Sequence, residues 1–390
     1  MELFNLIFKN ALRHKLRTFL TVVGVAIAIL AFSLIQTVLS AWHAGVEASA
    51  PDRLITRHAV SIVFPLPVAD RESIRAVPGV AEVSYAHWFG GIYVDERHSQ
   101  FPQFAVDAET WFTVYPEMVI QPDEKATFLR ERNAAIVGEK LARQQGWKVG
   151  DTIRMRGMLY PGDWDFVIRG IYQGAQKTTD ETWFVFHWKY LDERLRQIEP
   201  WRSGNVGWYT VKIADPSRSG EVARAIDQRF QNSIAETLTE TEKAFQLEFV
   251  AMSGAILTAL KIVSIVIIGV ILAVLSNTMA MTSRERLPEY ASLKTLGFGT
   301  RHLVFVIAGE SILIAAAGGG LGILLTFPVT AFFAKLLADL AGALFPVFEV
   351  GRTTILACAL IAFGVGLGAS IFPSWRASSL SIAEGLRRIG

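Results

Sequence analysis

Ile262–Met281 reads IVSIVIIGVILAVLSNTMAM, an apolar segment without a single charged residue. A helix needs ~20 such residues, rising ~1.5 Å each, to cross ~30 Å of hydrocarbon. This segment is long enough. Three others match it: Phe19 to Leu39, Leu303 to Ala334 with only Glu310 and Pro328 interrupting, and Thr353 to Trp375. Hydrocarbon offers no partner to backbone N–H and C=O groups, so all four are expected as helices. One stands near the start, a gap of roughly two hundred mostly polar residues follows, and three come in close succession. That layout predicts a membrane protein of four transmembrane α-helices with a large α+β extracytoplasmic domain between helices 1 and 2.

The composition agrees, with 51% hydrophobic residues, and a formal net charge of +2 gives no reason to expect nucleic acid. The placement of positive charge says more. Lys9, Arg13, Lys15 and Arg17 precede the first segment, Arg284, Arg286, Lys294 and Arg301 lie between the second and third, and Arg376, Arg387 and Arg388 follow the fourth. Only Lys335 and Arg352 flank the connection between the third and fourth. The bias of Lys and Arg toward the cytoplasm puts both termini inside and the segment 41–249 outside, in a cell inner membrane. Leu39-Ser40-Ala41 loosely resembles a signal-peptidase site, but signal-peptide apolar cores run to ~7–15 residues, and the first segment is longer. The single cysteine, Cys358, lies in the fourth segment, so the external domain holds no disulfide and relies on its own core.

The expected divisions are 1–40, with an N-terminal helix and the first span; 41–249, the external domain, in two subdomains; and 250–390, carrying the other spans. Leu3, Phe4, Ile7, Phe8, Ala11 and Leu12 recur at helical spacing with Lys9 and Arg13 elsewhere on the wheel. They read as an amphipathic helix on the inner membrane face or as a continuation of the first span. Glu236 to Ala259 favours helix, so the second span is expected to project as a stalk, with Lys261 snorkelling at the interface. Within the domain, Val68 to Val77, Glu139 to Gln145 and Arg218 to Ile234 read as helices. Val80 to Ala86, Ile92 to Val94, Phe104 to Val106, Thr152 to Arg156, Phe166 to Tyr172, Thr182 to Phe186 and Tyr209 to Ile213 read as strands.

Several stretches resemble one family. MAMTSRERLPEYASLKTLGFG (Met279–Gly299) is similar to the cytoplasmic loop of MacB-like and FtsX-like permeases of ABC transporters. FPSWRASSLSIAEGLRR at the chain end resembles their closing signature, and Gly309-Glu310-Ser311 followed by Ala315 to Gly322 resembles their third membrane helix. AIVGEKLARQQGWKVGDTIRMRG (Ala135–Gly157) and VPGVAEVSYA look like parts of the family's periplasmic core domain. Pro288, and Glu289-Tyr290-Ala291 in place of the usual Glu-Ile-Gly, depart from the pattern; the coupling helix is therefore expected only from Glu289 to Leu296.

The resemblance implies a non-catalytic permease subunit worked by a separate ABC ATPase that holds the ATP and Mg. This chain lacks G-x-x-x-x-G-K-[ST]. From charge alone the loop near 284–297 reads as a solvated turn. The resemblance makes it the ATPase contact, through Arg284, Glu285, Arg286, Glu289, Tyr290, Leu293 and Lys294. Further implied partners are a second permease copy, identical or related, membrane lipids, and a periplasmic adaptor with an outer-membrane channel. Export or extraction of an amphipathic substrate is the leading expectation; FtsX-like regulation of an envelope enzyme and LolC-like lipoprotein release are the alternatives.

Glu310 is the only acid well inside a span, and an intramembrane carboxylate is a functional candidate. It is expected to pair with Arg284, Arg301 or His302 in a structural or coupling role. Gly318 with Gly322, Gly364 with Gly368, and Gly24 with Ala28 form small-xxx-small faces suited to close helix approach. Trp42 and Trp375 sit at expected interfaces. Of the tryptophans between them, Trp183 and Trp188, with Phe184 and Phe186, are the candidates for a substrate or partner surface, against the plainer reading as core. The scattered histidines form no H-E-x-x-H, and no G-x-S-x-G occurs, so neither metal nor nucleophile chemistry is indicated.

Overall fold

The computed structural model describes residues 8, 11, 13–95, 99, 101–176, 178–341 and 348–379. The expected amphipathic helix at Leu3–Leu12 and the closing signature beyond Ser379 lie largely outside them. Helix α1 (Lys15–Ala48) leads to β1 (Arg53–His58), β2 (Leu66–Pro67), α2 (Asp70–Arg75), β3 (Val80–Trp88), β4 (Gly91–Ile92) and β5 (Gln103–Val106). Next come α3 (Trp111–Val114), β6 (Met118–Val119), α4 (Pro122–Arg130), β7 (Ala134–Gly138), α5 (Glu139–Gln145), β8 (Thr152–Gly157), β9 (Asp163–Gly174) and β10 (Phe184–His187). Then follow α6 (Trp188–Ile198), β11 (Asn205–Val206), β12 (Trp208–Ile213), α7 (Ser219–Arg229), β13 (Thr237–Thr241) and α8 (Glu242–Met252). The last four helices are α9 (Gly254–Glu285), α10 (Leu287–Thr295), α11 (Thr300–Ala341) and α12 (Arg352–Ser378).

The chain forms two compact units, one of membrane helices and one, chiefly Ala41–Ser253, that is α+β. Among the described residues four helices are long and apolar enough to cross a membrane: Lys15–His43, Gly254–Glu285, Thr300–Ala334 and Arg352–Ser378. The expected fold class holds.

Among the described residues of the α+β unit, ten strands run in the order β13-β1-β12-β3-β5-β10-β7-β9-β8-β4, with β6 on β9. The β5–β10 and β7–β9 pairs are parallel and the others antiparallel. Side chains alternate between faces along a strand, and each face carries a core. Val83, Tyr85, Ala105, Ala135, Val137, Phe184 and Phe186 pack on one side, and Ala86, Phe104, Val106, Ala134, Ile136 and Val185 on the other. A β-bulge lets β9 serve both. Ala135 pairs with Ile168 but Ile136 pairs with Gly170, leaving Arg169 as an extra residue. Trp164, Phe166 and Ile168 before it therefore face the first core, and Tyr172 after it faces the second.

Three expectations need correction. Glu236 to Ala259 is not one helix, because Thr237–Thr241 pair with β1 as an edge strand. The β-branched threonines suit a strand, and the Thr237 and Thr239 hydroxyls donate to Asp227. Helix α8 starts only after Thr241, whose Oγ1 accepts from the Ala244 N–H, and Ser253 separates it from α9. The helices expected at Val68–Val77 and Arg218–Ile234 shrink to α2 and α7, since Val68 N–H bonds Gly204 O and Asn232 takes a positive φ of 63°. Strand β1 escaped notice because its first four residues are all buried, which removes the alternation.

The segment just past α1 and the start of α8 meet at a buried cluster. Just past α1, Ala50 N–H donates to Glu242 Oε2 at 2.9 Å, and Glu242 is the first residue of α8. Arg53 donates from Nε to the same oxygen at 2.9 Å, and from Nη1 to Glu117 at 2.7 Å and to Val114 O at 3.0 Å. Its guanidinium lies 4.1 Å from the Tyr115 ring centroid. Elsewhere His87 Nε2 lies 3.0 Å from the Tyr160 hydroxyl, and burial, then nearby Arg202, pulls its pKa down to about 4.

The unfolded chain therefore takes up this proton first, near pH ~6.5. The stability His87 contributes is complete above that pH and is lost as pH falls toward about 4, by up to about 3 kcal/mol. Asp180 and Asp227, raised by burial, shift stability the opposite way, losing it as pH rises. The comparison that isolates His87 is the unfolding midpoint of wild type minus that of His87→Asn, followed from pH 7 to 4. The wild type should lose ground steadily across that range.

Candidate functional site

Helix α10 lies in the loop between the second and third spans. It starts at Leu287, with Pro288 in its first turn, earlier than the expected Glu289. Proline is tolerated there because first-turn N–H groups have no helical partner. At the other end Gly297, at φ 92°, closes the helix. Its N–H bonds Lys294 O and the Phe298 N–H bonds Leu293 O, the paired reversal that left-handed glycine makes possible. Leu287, Tyr290 and Ala291 are buried. Leu287 and Tyr290 join Leu303 and Ile307 of α11 in the core of the helical unit, and burial pushes the Tyr290 hydroxyl up to about 12.

Charged side chains tie this segment to each of the other three membrane helices. Glu289 pairs with Arg13, just before α1, and Glu285 accepts two 2.8 Å bonds from Arg17 within it. Lys294 Nζ donates to Ser378 O at the end of α12 at 3.2 Å. Arg286 Nη1 donates to Glu310 Oε2 of α11 at 2.7 Å, both side chains only 3–4% exposed.

The expected contact residues thus divide. Arg284 is exposed; Glu285 and Glu289 are exposed but engaged with the start of the chain; Leu293 and Lys294 are half-buried. Arg286 and Tyr290 face inward. Glu310 pairs with Arg286, not with Arg284, Arg301 or His302: the sequence reading assigns Arg286 outward, to the ATPase contact. What the loop offers outward is Ser292, Thr295, Leu296 and Phe298, with Leu296 76% exposed. An apolar pair flanking Gly297 in a loop was the available signal.

The glycines separate equally clearly. A Cβ on Gly318 would stand 2.6 Å from Val25 Cβ, and one on Gly322 would stand 2.7 Å from Ala26 O. These two form a seam between α11 and α1. Gly368 abuts Leu272 of α9, whereas nothing lies within 4 Å of an added Cβ at Gly24 or Gly364. Gly319 against Ala362 and Gly366 against Ala315 are close approaches the sequence reading missed.

The aromatic candidates do not form a surface. Phe184, Phe186 and Trp188 belong to the first core, and Trp183 packs on the second, with its indole N–H donating to Asp180. They run from the residue before β10 to the first residue of α6, and β10 is buried on both faces. Among the described residues no group of three His, Cys, Asp or Glu side chains is placed to hold a metal ion.

Four spans, an α+β domain inserted between the first and second, and a capped loop helix between the second and third define a permease-type membrane subunit. Residues 18–229 match the MacB-like periplasmic core domain and residues 261–382 the FtsX-like permease C-terminal domain. The chain belongs to this family of ABC transporter permeases. It is 22% identical to an uncharacterized ABC transporter permease of Methanocaldococcus jannaschii, over 99% of this chain and 98% of that one. Among solved structures, the periplasmic region of MacB from Actinobacillus actinomycetemcomitans aligns at 8% identity with a TM-score of 0.38, covering 52% of this chain and 95% of that one. The extracellular domain of the noncanonic ABC-type transporter YknZ from Gram-positive bacteria aligns at 10% identity with a TM-score of 0.34, covering 48% of this chain and all of that one.

Proposed function

We propose that this chain transmits the work of a separate ABC ATPase to its α+β domain and so exports or extracts an amphipathic substrate at the cell envelope. In this reading both termini and the α10 loop face the cytoplasm of an inner-membrane protein, the α+β domain faces the periplasm, and a second permease copy completes the unit. The observation that carries it is α10 itself. It is capped at its C-terminus, buried on one face against the helical unit, tied to the three other membrane helices, and open on its other face at Ser292, Thr295, Leu296 and Phe298. A lever needs that combination of rigid attachment and free contact surface. The excess of Lys and Arg at the same end supports the orientation.

The test is purification of the intact chain in mild detergent, with mass spectrometry of the co-purifying proteins and ATP hydrolysis assayed on the eluate. An ATP-binding subunit should be recovered. Leu296→Asp together with Phe298→Asp should lower that recovery about tenfold, equivalent to ~1.4 kcal/mol of contact energy, with the unfolding midpoint unchanged, because both side chains are exposed. Any adaptor or lipoprotein in the eluate would identify the pathway. Recovery of an envelope hydrolase in place of these would favour the regulatory alternative, and absence of any ATPase from the folded wild-type protein would defeat the proposal.

A further inference from the structure

We propose that Arg286 and Glu310 are positioning residues whose ion pair fixes the register of α10 against α11, so that force applied to the loop helix passes to the third membrane helix without slipping. This rests on the lever reading given above. Helix α10 and the start of α11 form an antiparallel hairpin. Glu310 lies ~15 Å along α11 from Thr300, and α10 is ~13.5 Å long at ~1.5 Å per residue. The turn at Gly297 closes one end of the hairpin, and the pair at 2.7 Å closes the other.

The contacts between these ends are apolar, from Leu287 and Tyr290 against Leu303 and Ile307. Apolar contact has no direction and would tolerate sliding. A buried ion pair does not, since displacement separates two opposite charges in a site closed to water. Such pairs add little stability over an apolar pair of the same volume; their best-attested use is to specify one arrangement. The tethers to α1 are of a different kind. Arg13–Glu289 and Arg17–Glu285 are substantially exposed, where solvent weakens ion pairs. The loop helix is thus bound firmly to α11 and loosely to α1, and α10 and α11 should travel together.

The experiment uses the full chain carrying Ser292→Cys and Leu324→Cys, both exposed, spin-labelled for distance measurement, with native Cys358 left buried. Three forms are compared: wild-type pairing, the apolar pair Arg286→Met/Glu310→Leu, and the exchanged pair Arg286→Glu/Glu310→Arg. The apolar pair guards against simple misfolding, because it keeps the packing. Wild type and exchange should each give one narrow distance, and the apolar form a distribution at least twice as wide with an unchanged unfolding midpoint. In the complex with the ATPase, adding nucleotide should leave this distance unchanged in the wild type and in the exchanged form, and shift it in the apolar form. An apolar form as narrow as wild type would overturn the inference. If the wild-type chain recovers no ATPase, the proposed function falls, while the three widths still decide what the pair does.

Discussion

Arg53→Ala should lower the stability of the α+β domain by about 3–5 kcal/mol, the usual consequence of removing one member of a buried ion pair. For a domain of this size that is a fall of about 10 °C in the unfolding midpoint, read from tryptophan fluorescence of the intact protein. The cause is what the arginine leaves behind. Glu242 is 9% exposed at its side chain and would lose both contacts with the guanidinium, while Val114 O would lose its donor and Tyr115 its stacked cation. Burial already holds the Glu242 carboxyl above its ordinary pKa even with Arg53 beside it. Without Arg53 the carboxyl would be driven to protonate. Removing both charges as Arg53→Met/Glu242→Leu should recover more than half of the loss, since Glu117, at 27% exposure, can hydrate. A single-variant cost below about 1 kcal/mol, as for exposed ion pairs, would show that the cluster is not closed to water.

The second large effect is expected at the seam between α1 and α11. Gly318→Ala/Gly322→Ala should cost about 4 kcal/mol in total, at 1–3 kcal/mol for each overpacked site. Added methyls would meet Val22 O and Val25 on one turn and Ala26 O and Ile29 on the next, and backbone oxygens cannot rotate aside as side chains can. Gly24→Ala and Gly364→Ala form the control, with no atom within 4 Å of the added Cβ; they should stay within about 0.5 kcal/mol. The chain supplies its own probe. Cys358 is its single cysteine and lies fully buried in the helical unit, so its labelling by a fluorogenic maleimide on heating reports opening of the bundle. Equal labelling midpoints for the two pairs of variants would disprove the seam.

The four spans were legible because hydropathy is a local property, and helix α5 was placed to the residue because its apolar positions and following Gly146 are also local. β13 was missed although Thr-Leu-Thr-Glu-Thr alternates, because the helix-favouring residues after it outweighed five. β1 shows the opposite difficulty: its first four residues are all buried, and a strand buried on both faces loses the alternation that reveals it. For the candidate site, α10 was readable to within two residues. Its tethers were not. Arg17 and Glu285 are 268 residues apart, and no pattern within a window brings them together. Arg286 looked like one more loop cation until the hairpin turned it toward Glu310. The tryptophans were readable only as a density, and the structure assigns most of that density to packing.

The meeting of Ala50 with Glu242 carries a consequence for how such a chain can be assembled. A residue just past α1 and the first residue of α8 are joined by one hydrogen bond, so the stretch 50–242 starts and ends side by side, as the termini of self-contained domains often do. Everything between them is a cassette. Exchanging it for another of different size, or cutting it out and closing the gap with a short linker, would ask the new chain to span only the distance between these two residues. Recombination at these two points would join one set of membrane helices to many different α+β domains.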